Sequence, residues 1–130
     1  MDFALRVAES TAFAMHSLLA ITEPCTGAVT FALHGEGSMP RWFWPLAGIL
    51  LALVSYANFS GVPEVVLGAQ AYIAAFHSGG VFFHWRLRHH PVAGGAPGLF
   101  VAMAVAVTAL RAGLWVAVLG AAASVAVGVL

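Results

Sequence analysis

The sequence has no lysine, a single cysteine and few charges, and each scarcity excludes a class of protein. Five arginines balance five acidic residues, so the formal net charge is zero. No basic surface is therefore available to attract nucleic acid or to hold a peripheral protein on anionic lipid. Because Cys25 is alone, an internal disulfide, a CxxC redox pair and a thiolate-rich metal site are excluded.

Hydrophobic residues, in contrast, are abundant. They make up 62% of the 130 residues, and only 8% are charged, against about 25% in soluble domains. A soluble domain of this size buries only about two-thirds of the surface that its unfolded chain exposes. We therefore predict a single integral membrane domain that crosses the bilayer several times, with lipid as its solvent and no nucleic acid as a partner.

The stretch 63–86 is the segment around which we expect the rest to be organised. Gln70, His77 and His84 recur in it at intervals of seven, and a seven-residue step returns to nearly the same helix face, with about 20° of drift. A row of small residues lies on roughly the opposite side and would let a neighbouring backbone approach closely. This row consists of Ala71, Ala75 and Gly79.

Hydropathy and turn residues predict the spans at about 3–22, 41–58, 63–86 and 97–111. Pro24 disfavours helical geometry at the residue before it, so the first helix should end or kink there. Residues 25–33 are too short to span and are interpreted as a re-entrant or interfacial piece, or as the lower part of a kinked first helix.

The last apolar block, 99–130, is too long for one span, because as a helix it would measure about 48 Å against about 30 Å of hydrocarbon. Either a turn after Arg111 starts a fifth helix over 114–130, or one tilted helix continues past the membrane edge. Gly120, Ser124 and Gly128 form a second small-residue row, which should pack against another element. The predicted fold is an all-α, polytopic transmembrane four-helix bundle, with the fifth C-terminal helix as an open alternative.

The charges suggest an orientation. Arg41, Arg86 and Arg88 share one predicted side of the membrane, and Arg6 and Glu64 lie on the other. The positive-inside rule then places the three arginines in the cytoplasm.

A polar seam between the first and third helices is the candidate site. The two helices should run parallel, and an offset of 61 residues pairs Glu9 with Gln70, His16 with His77, and Glu23 with His84. Polar residues within a bilayer are functional hypotheses by default. One interpretation is that the seam only fixes helix register. The other is a ligand or proton site, in which a Glu–His pair passes a proton or hydrogen-bonds a quinone-like carbonyl; its residues would be Glu9, His16, Gln70, His77 and His84.

No metal site is predicted in the seam. His77 and His84 are two turns apart, about 10.5 Å, so they cannot chelate one ion. A bis-histidine haem would need one of them opposite His16, and nothing else in the sequence supports a haem. His89 and His90 are interpreted as solvated or headgroup-contacting residues, with a surface metal site as the alternative.

Three segments resemble the DoxX-like family of small four-helix membrane proteins. They are RWFWPLAGILLAL, PEVVLGAQAYIAAFHSGGVFFHWRLRHHP and PGLFVAMAVAVTALR. The most telling part is His84-Trp85-Arg86 before Pro91, and Arg111 matches the final arginine of the fourth helix. The resemblance implies a four-helix bundle associated with quinone-linked sulfur or redox chemistry, often as a partner subunit.

From these observations we expect an accessory subunit of a larger quinone- or redox-linked membrane complex. Its partners would be other membrane subunits or further copies of the chain. The alternative is a membrane oxidoreductase that binds a quinone or another lipophilic small molecule against the Glu/His seam. The sequence contains no complete catalytic set, so no catalytic residue is predicted.

Overall fold

The computed structural model describes residues 1–27, 40 and 42–129, and the regular elements of these residues are all helical, which confirms the predicted class. The five α-helices are α1 (Asp2–Thr26), α2 (Phe43–Ala57), α3 (Pro63–Arg86), α4 (Gly95–Ala112) and α5 (Leu114–Val129). A 3-10 turn, Pro91–Gly94, precedes α4. Arg41, the predicted start of the second span, lies outside the described residues, as do positions 28–33 of the proposed interfacial piece.

Helix α1 continues past Pro24 and ends four residues later than predicted. A proline removes one backbone hydrogen bond, but this one lies in the last turn, where few further bonds depend on it. The helix ends at Gly27, which has φ 62° and whose N–H donates to the Glu23 carbonyl at 2.9 Å. Such a left-handed glycine is a common helix end.

The last apolar block forms two helices, which decides between the two alternatives left open by the sequence. Gly113 separates α4 from α5 with φ 93° and ψ 159°, a conformation that residues with a side chain rarely adopt. The organising segment, in contrast, is one unbroken helix over its predicted range, with Pro63 at the first helical position.

The first four helices surround a common core. Helix α1 packs along α2 and α3 along α4, while lighter contacts join α2 to α3 and α1 to α4. Helices α1 and α3 therefore lie diagonally opposite, so only their side chains meet. The core residues are Phe13, Leu51, Val54, Ala69, Ile73, Ala74 and Ala104.

Helix α5 lies outside this core, against α3 and α4. The two predicted small-residue rows meet here. A Cβ atom added to Gly128 would lie 2.6 Å from the Ala75 carbonyl oxygen, and one added to Gly79 would lie 3.0 Å from the Gly128 carbonyl oxygen. The Ser124 hydroxyl donates to the Ala71 carbonyl at 3.4 Å. Both rows thus provide close backbone approach, as expected from their composition.

Two of the described helices, α3 and α4, are long and apolar enough to cross a membrane by length and composition. Helices α2 and α5 are also apolar but shorter. Helix α1 is long, but it carries several polar side chains in its first half.

Candidate functional site

A cluster of polar side chains lies at the end of the bundle where α1 and α3 begin. We call it the polar cluster; it consists of Asp2, Arg6, Glu9, Ser10, Asn58, Gln70 and Arg111. Glu9 and Asn58 are 0% exposed and Gln70 is 1% exposed. Glu9 lies seven residues after the start of α1, about 10 Å along the helix axis. The centre of the cluster is therefore inside the bundle rather than at its rim.

Gln70 joins α3 to α1 across the diagonal of the bundle. Its Nε2 donates to Glu9 Oε2 at 2.9 Å and to Asn58 Oδ1 at 2.6 Å. The predicted level pairing of Glu9 with Gln70 is confirmed by the first of these bonds. Because an amide nitrogen has only two hydrogens to donate, both are used inside the protein.

Asn58 is the central residue that sequence reasoning missed. Its Nδ2 lies 3.1 Å from Glu9 Oε2 and 3.2 Å from Ser10 Oγ. It follows the last residue of α2 and keeps helical dihedral angles, with its N–H donating to the Val54 carbonyl. Its side chain therefore projects inward instead of belonging to a solvated turn. The only sequence signal was an asparagine directly after an apolar helix, which is also typical of turns.

Charged residues close the cluster on its outer side. Arg6 Nη1 donates to the Asn58 carbonyl at 2.6 Å, and its Nη2 lies 3.2 Å from Asp2 Oδ2. Arg111 donates two hydrogen bonds to the Asp2 carboxylate, at 3.1 and 3.0 Å. The hydrogen bond from Arg111 lowers the pKa of Asp2 below its ordinary value. The Asp2–Arg111 pair therefore links the end of α4 to the start of α1.

Two oxygen atoms in the cluster are buried without a hydrogen-bond donor, Glu9 Oε1 and Gln70 Oε1. Buried polar atoms are nearly always paired, so these are the positions at which the cluster would accept a proton or a further donor. The Nε of Arg6 is also buried and unpaired.

His77 lies two turns further along α3, in aromatic surroundings. Its ring stacks on Phe100 at a centroid distance of 4.5 Å and meets the edge of Phe13 at 5.2 Å. Its Nδ1 is 2.9 Å from the Ile73 carbonyl oxygen. Because a carbonyl oxygen only accepts, Nδ1 must carry the hydrogen of this bond. The ring is thus fixed by packing and by one backbone contact.

The other predicted site residues are elsewhere. His16 is exposed on α1, and within the described part of the chain no hydrogen bond joins it to His77. His84 is half-buried, and its Nδ1 lies 2.8 Å from Nδ1 of His89. The structure therefore brings Glu9 and Gln70 together, but the five predicted residues do not form one continuous seam.

A separate apolar groove of about 360 Å³ lies between α3, α4 and α5. Phe82 and Trp85 line it from α3, Val101 from α4 and Val125 from α5. The hydroxyl of Ser78, which also lines the groove, is buried and has no hydrogen-bond partner.

Comparisons with known proteins do not extend this description. No family model, curated protein or solved structure matches the chain. The polar cluster and the groove therefore have to be interpreted from their own geometry.

Proposed function

We propose that the chain is a small polytopic integral membrane protein, of the kind that its DoxX-like resemblance implies, and that it works as an accessory subunit of a larger quinone- or redox-linked complex. One observation carries the proposal. The buried side chains of the polar cluster bind one another inside the bundle, while large apolar side chains cover its outside.

The outer surface supports placement in lipid. Leu18 of α1, Leu53 of α2 and Leu119 of α5 are 65%, 60% and 70% exposed, and water-soluble monomers rarely present apolar surface on so many sides. At 1.5 Å per residue, the 24 residues of α3 extend about 36 Å. This length exceeds the roughly 30 Å of hydrocarbon that a span must cross.

The polar cluster supports a structural rather than a catalytic interior. A general acid or base must come within hydrogen-bond reach of its substrate, whereas Glu9 is completely buried and held by Gln70 and Asn58. Interhelical hydrogen bonds in membranes contribute on average about 0.6 kcal/mol each. The cluster therefore stabilises the helix arrangement, and the function is expected at the outer surface, where a partner would bind.

The membrane placement is tested by labelling with a membrane-impermeant maleimide. Cys25, the only cysteine, is exposed near the end of α1, and α2 separates it from the opposite end, where Ser60 lies. We expect Cys25 to react from the cytoplasmic side, and Ser60→Cys in a Cys25→Ser background to react from the other. Labelling of both positions from one side would contradict the proposed spans.

The accessory role is tested by native mass spectrometry of the protein extracted from its own membranes in mild detergent. We expect a complex heavier than the chain, containing a quinone- or redox-linked partner. A chain that runs alone and turns over a substrate would contradict the role while leaving the membrane placement intact.

The apolar groove favours a second candidate function, the binding of a quinone or similar lipophilic molecule. Its walls suit an apolar tail, and the buried, unpartnered Ser78 hydroxyl would donate to a carbonyl if its side chain turned toward the groove. Quenching of tryptophan fluorescence by an added quinone should weaken in Ser78→Ala. If the quinone instead binds at the predicted polar seam, the double variant His77→Ala and His84→Ala should lose binding. The Ser78 variant and the double histidine variant therefore distinguish binding in the groove from binding at the seam.

A further inference from the structure

The end of α3 is closed by a hydrogen-bonded turn that brings two histidines together. The His89 N–H donates to the His84 carbonyl at 3.0 Å, and the Arg88 N–H donates to the Trp85 carbonyl at 3.1 Å. Arg88 itself has φ 55°. This is the Schellman arrangement, in which the residues at the two ends of the turn usually make an apolar contact. Here both end residues are histidines.

The two imidazoles face each other through the same nitrogen. Nδ1 of His84 lies 2.8 Å from Nδ1 of His89, with the ring centroids 5.1 Å apart and the planes tilted by 51°. Two nitrogens this close share either a proton or a metal ion.

We propose that His84 and His89 chelate a divalent transition-metal ion through their Nδ1 atoms, and that a metal with square or tetragonal geometry, Cu(II) or Ni(II), suits the pair. Imidazole–metal bonds measure about 2.0–2.1 Å. With the nitrogens 2.8 Å apart, such bonds subtend about 86° at the metal. That angle fits neighbouring positions of a square or tetragonal site, whereas a tetrahedral ion would require a nitrogen separation of about 3.3 Å.

Among the described residues two ligands are supplied, since no group of three or more metal-binding side chains occurs within those ranges. His90 Nδ1 is not available as a third Nδ1 ligand, because it accepts a hydrogen bond from the Val92 N–H at 3.3 Å. Solvent ligands would complete the coordination shell of the ion. The proposed chelate lies at the carboxyl-terminal end of α3.

Some charges around the His84–His89 pair favour a bound cation and others oppose it. The carboxyl-terminal end of a helix favours a cation, because the last carbonyl groups carry partial negative charge. Arg86 and Arg88 flank the site and oppose a cation, but both are exposed, so solvent and salt screen them. The left-handed conformation of Arg88 is strained for a residue with a side chain, and such strain is retained where the surrounding structure fixes it.

The test is Cu(II) titration of the purified full chain in detergent, with an affinity tag free of histidine, followed by electron paramagnetic resonance. We expect one Cu(II) per chain, with a tetragonal spectrum showing nitrogen coupling. His84→Ala or His89→Ala should weaken binding at least tenfold, while the control variants His90→Ala and His16→Ala should leave it unchanged. Because neither the titration nor the variants depend on a lipid bilayer or a partner, the result is independent of the proposed function.

A second pair of variants separates loss of ligand from loss of fold. His89→Phe keeps an aromatic ring at the turn but removes the nitrogen, so it should bind as weakly as His89→Ala. Arg88→Gly relieves the backbone strain and should bind at least as tightly as the native chain. Cu(II) binding that is absent from the native chain, or that is unaffected by His84→Ala and His89→Phe, would overturn the site and leave the pair as a simple N–H···N hydrogen bond.

Discussion

Replacement of Gly48 by alanine should destabilise the contact between α1 and α2. A Cβ atom at this position would lie 2.8 Å from the Ser17 carbonyl oxygen, 2.9 Å from the Ile21 backbone nitrogen and 2.7 Å from Ile21 Cγ1. Two of these three atoms belong to the backbone of α1. The side chain of Ile21 could rotate away, but the helix itself would have to move.

The expected loss follows from three effects. Moving the contacts to ordinary van der Waals distance shifts α1 by about half an ångström, and overpacking of this kind costs about 1–3 kcal/mol. The Ser17 hydroxyl donates to the Gly48 carbonyl at 2.7 Å, and weakening that bond removes about 0.6 kcal/mol. Alanine has a higher helix propensity than glycine, and this stabilises the variant by about 1 kcal/mol, which partly offsets the two losses. The net destabilisation is about 0.6–2.6 kcal/mol.

The assay is reversible unfolding in mixed micelles, with helix content followed by circular dichroism as the fraction of denaturing detergent rises. Gly68→Ala is the matched control, because a Cβ at this helical position of α3 meets no atom within 4 Å. It should be neutral or stabilising by up to about 1 kcal/mol. Ser17→Ala isolates the hydrogen bond alone. A Gly48→Ala variant as stable as Gly68→Ala would refute the close contact of α1 with α2.

The remaining predictions concern the polar cluster. In a double-mutant cycle, Glu9→Leu and Gln70→Leu should show a coupling of about 0.6 kcal/mol, and not more than about 1.7 kcal/mol; zero coupling would show that the diagonal bond does not form. Because Arg111 lowers the pKa of Asp2 below 3.8, the ionised carboxylate stabilises the fold above that pH, and this contribution disappears as the pH falls through the lowered pKa. Thermal unfolding between roughly pH 5 and pH 2 should therefore depend less on pH in Asp2→Asn, and an unchanged pH dependence would argue against the Asp2–Arg111 pair.

Periodicity in the sequence predicted the parts of the fold that depend on helix faces. The seven-residue interval placed Gln70 on the inner face of α3, opposite Glu9, and the alanine–glycine row on the face that receives α5. Both results follow because side-chain direction in a long helix is fixed by residue spacing. The break at Gly113 was one of two alternatives, and only its backbone conformation decided between them.

Periodicity could not predict contacts that arise where a helix ends. Asn58 follows α2 with helical dihedral angles and points inward, and His84 turns to His89 because Arg88 adopts a left-handed conformation. Neither the inward direction of Asn58 nor the contact between His84 and His89 can be predicted from the residue types alone. His16 shares the seven-residue spacing of Glu9 but is exposed, because α1 and α3 lie across the diagonal and meet through only part of their facing sides.

The bond between Glu9 and Gln70 also sets an order of events during synthesis. Its two partners are 61 residues apart in the chain, and a ribosome adding about 5–20 residues per second needs about 3–12 s to make that length. In the proposed membrane placement, the first helix leaves the ribosome before the helix that carries Gln70 has been made. The Glu9 carboxyl group then has no Gln70 to accept a hydrogen bond from. If the helices enter lipid as proposed, the first helix would have to stay shielded from lipid until its partners are made, or three helices would have to enter the lipid together.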